Sequence, residues 1–176
     1  MSVLRKALAL AGTSAAVATL LALPTGSASA ASGPSSLVTL SGSFSVVDDD
    51  STIFGSSYEY ASSSFRQYLG TGPTHPYEYG ADIKSACAGG EVYGTVSAKV
   101  TRSQHEDGSV YVKFYGRLFE GSSCSTDDID GTYFTQGIGI NLTPGQAKSG
   151  SFKVPMQFES GQDSVTVYYN IKNDVH

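Results

Sequence analysis

Between Glu91 and Glu120 the chain alternates apolar and polar side chains twice over, and its only two cysteines, Cys87 and Cys124, stand just outside the two ends. Val92, Gly94, Val96, Ala98 and Val100 take every second place, with Tyr93, Thr95, Ser97, Lys99 and Thr101 between them. The run from Val110 repeats the pattern: Val112, Phe114 and Leu118 on one side, Tyr111, Lys113, Tyr115 and Arg117 on the other. A period of two marks a strand with one buried face. The interruption, Gln104 to Gly108, ends in an Asp-Gly pair that reverses a chain readily. The pattern predicts an antiparallel hairpin folded at about His105 and Glu106. Such a hairpin places Cys87 opposite Cys124, since both lie a similar distance from the turn, and so predicts a disulfide closing its open end.

A disulfide needs an oxidising destination, and residues 1–30 read as a secretory signal. Arg5 and Lys6 make a basic start, Ala7 to Leu23 an apolar middle, and Ala28, Ser29 and Ala30 a small-residue cleavage site. Gly12, Thr13 and Ser14 interrupt the apolar run, no stop-transfer flank follows, and no later run is long enough to span a bilayer, so the mature chain is expected to have no membrane span. Residues 31–36, with Gly33 and Pro34, are expected to be a disordered lead-in, and residues 37–173 a single β-sandwich domain. Without Arg5 and Lys6, nine basic residues remain against 16 acidic ones, a charge of −7. An acidic chain without a Lys or Arg cluster argues against nucleic acid as a partner.

Helix signals are missing: no segment carries apolar residues at i, i+3, i+4 and i+7 behind a capping residue. Strands are predicted instead at Leu37–Val47, Tyr58–Leu69, Tyr77–Ser85, the two hairpin segments, Thr132–Leu142, Ser151–Glu159 and Ser164–Lys172. Eight short strands with turn signals between them give an all-β antiparallel sandwich. Pro155 lacks a ladder donor and places its strand at a sheet edge or a bulge. If each strand reverses the one before, one end of the sandwich collects Asp48 to Asp50, Cys87, Cys124, Asp127, Asp128, Asp130 and Asp163. The other end collects His75, His105, Glu106, Asp107 and Lys148.

Two kinds of site are suggested. Asp48, Asp49 and Asp50, with Asp127, Asp128 and Asp130, offer oxygen ligands at one end, a donor set that suits calcium; no other cofactor is expected. An EF-hand is excluded, because Ile53 stands where the sharp turn needs glycine. The second candidate is the polar face of the hairpin, Tyr93, Tyr111, Lys113, Tyr115 and Arg117 with Lys99, where aromatic platforms beside hydrogen-bonding groups suit sugar rings or peptides. The chain has no Trp, the commonest sugar-stacking residue. If the second sheet covers this face, its tyrosines are core instead.

Catalysis has little support. His75, His105 and His176 are scattered, without a two-histidine zinc helix or a nucleophile elbow. The Asn141-Leu142-Thr143 triplet reads as a chance glycosylation match. The sequence therefore suggests a secreted, bacterial-looking, non-enzymatic module binding an extracellular glycan, wall component or protein. A structural or coat-like protein and a small secreted hydrolase are the alternatives. N-terminal sequencing of exported material is expected to start at Ala31; a start at Met1 would remove the signal reading.

Overall fold

The computed structural model describes residues 33–52, 55–105, 107–137, 139–158 and 162–175, all within the compact unit Ala31–His176. The expected signal at residues 1–30 and Glu106 lie outside the described residues. The elements are β1 (Ser36–Thr52), β2 (Gly55–Thr71), β3 (Tyr77–Tyr79), β4 (Ile83–Lys84), β5 (Tyr93–Arg102), β6 (Val110–Phe119), β7 (Ile129–Phe134), β8 (Ile140–Leu142), β9 (Ala147–Pro155) and β10 (Ser164–Val175). They form an all-β antiparallel sandwich. One sheet has the order β2-β1-β10-β9; the other runs β3-β5-β6-β7, with β4 also on β5 and β8 also on β6.

Among the described residues ten strands replace the eight expected, because two predicted strands are each broken by glycine. Tyr77–Ser85 becomes β3 and β4, separated by Gly80, Ala81 and Asp82, and both halves pair with β5. Thr132–Leu142 becomes β7 and β8, both on β6. Between them Gly137 and Gly139 adopt φ of 63° and 102°, left-handed values that suit glycine. Thr135 bridges the gap, its N–H donating to the Phe114 carbonyl and its hydroxyl accepting the Phe114 N–H, both at 3.0 Å. Each split strand keeps its direction, so the sorting of loops between the two ends survives the extra count. Pro155 lies at the end of β9, an edge strand, as its missing donor requires.

The hairpin has the predicted form. Thr101 faces Tyr111 and Lys99 faces Lys113, a register that folds the chain about residue 106. Cys87 and Cys124 are bridged, with Cα atoms 6.0 Å apart, inside the usual range for a disulfide. Val96, Ala98 and Val100 of β5 and Val112, Phe114 and Leu118 of β6 join Val38, Leu40, Phe44 and Val46 of β1 and Val165, Val167 and Ile171 of β10 in one buried cluster. Fully burying a side chain of this size contributes about 1.5–3 kcal/mol. The sheets meet tightly over Gly94, where an added Cβ would stand 2.7 Å from Val165.

A polar clamp fixes one end. Asn173, fully buried, donates from Nδ2 to the Gly108 carbonyl at 2.8 Å and to the Leu142 carbonyl at 3.2 Å. Ser36, expected in the lead-in, is instead the buried first residue of β1, and its hydroxyl donates to the same Gly108 carbonyl at 2.8 Å. The turn of the β5–β6 hairpin is thereby tied to the opposite sheet. Replacing Asn173 by Ala removes both of its bonds and leaves the Gly108 carbonyl to Ser36 alone, and urea unfolding is expected to show a loss of about 1–3 kcal/mol. Reducing the bridge, which closes a separation of 37 residues, is expected to cost about 4 kcal/mol.

Candidate functional site

Because the even-numbered residues of β5 and β6 fill the core, the odd-numbered ones face away from it. The register sets them in rows: Tyr77, Thr101, Tyr111 and Asn141 in one, Tyr79, Lys99 and Lys113 in the next, and Ser97, Tyr115 and Phe134 in a third. The opposite sheet does not cover this face. Tyr79 is 60% exposed, Phe134 56% and Tyr115 38%. Tyr77 and Tyr79 pack edge to face, centroids 5.9 Å apart, and the Lys99 ammonium lies 4.9 and 4.6 Å from their ring centres. Lys99, Tyr111, Lys113 and Tyr115, with Thr101, Arg102 and the turn residues Ser103, Gln104 and His105, line a groove of about 380 Å³. That volume suits a small ligand or one unit of a larger one.

Three of the expected ligand residues, Tyr111, Lys113 and Tyr115, are thus brought together with Lys99. Two are not. Tyr93 has the outward parity but is buried: its ring stacks on Phe119 with centroids 4.7 Å apart, and Lys84 caps it at 3.6 Å. Its hydroxyl donates to the Thr126 carbonyl at 2.5 Å, and burial, then the nearby Asp127 charge, pushes its pKa up. Alternation could not show this, because the cover comes from β4, the end of β6 and the loop that carries Cys124. Arg117 lies further along β6, opposite Thr95, in an exposed salt bridge with Asp82 at 3.4 Å. Sequence reasoning missed Tyr77, Tyr79, Phe134 and Arg102. The alternating Tyr-Glu-Tyr of β3 was a usable signal, but its pairing with β5 was not.

The aspartates divide differently. Asp48 continues the inward parity of Val46 and is buried within β1 rather than standing in a loop, beside Asp50, Asp163, Glu91 and Glu59. Asp163 accepts the Asp49 N–H at 2.6 Å. Asp130 is buried in β7, where Oδ2 accepts the Glu120 N–H at 3.0 Å and its carbonyl accepts the N–H of Gln157 at 2.7 Å. Asp127 and Asp128 are exposed in the loop before β7. Among the described residues no group of three or more His, Cys, Asp or Glu has the geometry to hold a metal ion.

Comparison with protein-family models, curated proteins and solved structures finds no match for this chain.

Burial, followed by the charges of Asp50, Asp163, Glu91 and Glu59, pushes the Asp48 carboxyl up to about 6. An acid whose pKa rises on folding favours the folded state only while protonated. Its contribution is full below its ordinary value of 3.8 and is lost as pH rises through about 6. Asp48→Asn, which stays neutral, is expected to raise the melting temperature at pH 7 and to flatten the stability profile across that window. An unchanged profile would place Asp48 in contact with water.

Proposed function

We propose that this protein is an exported, non-enzymatic β-sandwich that binds an extracellular ligand, a glycan, a wall component or a protein, through the outer face of β5 and β6. The observation that carries the reading is the shared groove of Tyr111, Lys113, Tyr115 and Lys99 beside exposed Tyr79 and Phe134. A cluster of exposed aromatics on one surface marks a place where a partner removes them from water. The Cys87–Cys124 bridge and the signal-like residues 1–30 support an extracellular destination. Among the described residues lining the groove there is no carboxylate, whereas glycoside hydrolysis takes two.

Self-association of a coat-like protein would call for an open strand edge, and β2 is the long edge of its sheet. Part of that edge, between Ser63 and Gly70, is covered by its own chain. The Gly70 N–H donates to the Glu78 carboxylate, Gln67 Nε2 to the Ala81 carbonyl at 3.3 Å, and the Ala86 N–H to the Ser63 hydroxyl at 3.0 Å. An edge covered by its own chain is a poor template for another strand.

Tyr111→Ala with Tyr115→Ala is expected to abolish retention on the glycan or wall fraction that captures the unaltered protein. The stability cost is expected to stay under about 1 kcal/mol, because side chains facing solvent contribute little to folding. If the double variant unfolds, the rings serve the fold and the binding reading is withdrawn.

A further inference from the structure

The groove carries a concentration of positive charge on a chain whose formal charge is −5. Lys99 and Lys113 stand directly opposite each other on β5 and β6, and both line it. Like charges in opposed positions on neighbouring strands destabilise a sheet. Lys99 does not escape by losing its proton: the Tyr79 side chain beside it holds its pKa above the ordinary lysine value. Arg102 borders the same groove, but its guanidinium is turned inward against Gly33. His105 lines the groove as well.

Among the described residues the two lysines have no acidic partner. Among the described residues the salt bridges are Arg117 with Asp82 and Lys172 with Asp174, which leaves Lys99, Lys113 and Arg102 without an ion pair. Asp107, in the turn beside the groove, spends its carboxylate on the Ser109 N–H at 2.9 Å. Two lysines at opposed positions on neighbouring strands, both lining one groove, form an arrangement that an anion stabilises.

Resting on the reading of this face as a ligand site, we propose that its ligand is an acidic oligosaccharide, with sugar rings against Tyr111 and Tyr115 and a carboxylate or phosphate between Lys99 and Lys113. The few cations present suit a ligand of low charge. A dense polyanion would meet the acidic remainder of the molecule, which repels it.

Titration calorimetry on the purified protein separates the possibilities. The probes are trigalacturonate and its methyl ester, a phosphorylated mannose oligosaccharide and its dephosphorylated form, and a short oligothymidylate. At least one acidic sugar is expected to bind about tenfold or more tightly than its neutral counterpart, and the pair that does so tells carboxylate from phosphate. K99Q/K113Q is expected to lose about tenfold more affinity for that acidic sugar than for its neutral form. Its melting temperature is expected to hold or rise, since the opposed charges are gone, and K99R/K113R is expected to retain binding.

Equal affinity for acidic and neutral sugars overturns the anionic inference and leaves the aromatic binding face standing. Tighter binding of oligothymidylate overturns the sugar assignment. A K99Q/K113Q variant that melts lower than the unaltered protein gives the lysines a structural role and overturns the inference as well. Failure of every probe to bind overturns both this inference and the assignment of the face to glycans.

Discussion

The burial of one face of the β5–β6 hairpin against β1 and β10 is the constraint from which the rest of the molecule follows. Val96, Val100, Val112 and Phe114 leave water together only if the strands hold one register, because a slip by one residue turns every side chain to the other face. The same register then decides the outside. Once the valines are core, Lys99, Tyr111, Lys113 and Tyr115 have no choice of side, and they form rows with Tyr77, Tyr79 and Phe134. The candidate site is thus a by-product of the core, built on strands rather than loops, which gives its side chains fixed relative positions.

The two ends hold that register by different chemistry. At the turn end, the Gly108 carbonyl receives hydrogen bonds from both Asn173 and Ser36, so one buried acceptor ties the hairpin to both β1 and β10. At the open end the disulfide fixes Cys87 to Cys124, and the loop carrying Cys124 folds back over Tyr93. The bridge therefore does more than shorten the unfolded chain. It takes one tyrosine out of the outer face and confines the exposed aromatics to the half of the sheet nearer the turn.

Much of this was legible in the sequence. Strict alternation gave the hairpin, the equal spacing of the cysteines from the turn gave the bridge, and Pro155 gave an edge strand. What escaped was set by contacts distant along the chain. The break between β7 and β8 depends on Thr135 completing the ladder to Phe114, a bond that a period of two does not contain. The burial of Asp48 was hidden by composition, because three consecutive aspartates read as a turn, although β1 runs straight through them to Thr52. Of the site, Tyr111, Lys113 and Tyr115 were visible from parity. Tyr77, Tyr79 and Arg102 were not, since pairing partners and loop cover are tertiary facts.

Charge is distributed unevenly along the sandwich, and this follows from the same topology. The acidic side chains Asp48, Asp50, Asp163, Glu91 and Glu59 gather at the cysteine end. Lys99, Lys113, Arg102 and His105 gather round the groove towards the turn end. Lys84, Lys148, Lys153 and Lys172 lie on other strands, so the groove is one positive patch on a molecule of net negative charge, and such a patch attracts an anion locally. Such a field speeds and orients encounter more than it strengthens the final complex. Salt screens it over about 10 Å at 0.1 M, so added salt slows the approach of an acidic ligand more than it loosens one already seated between the two lysines.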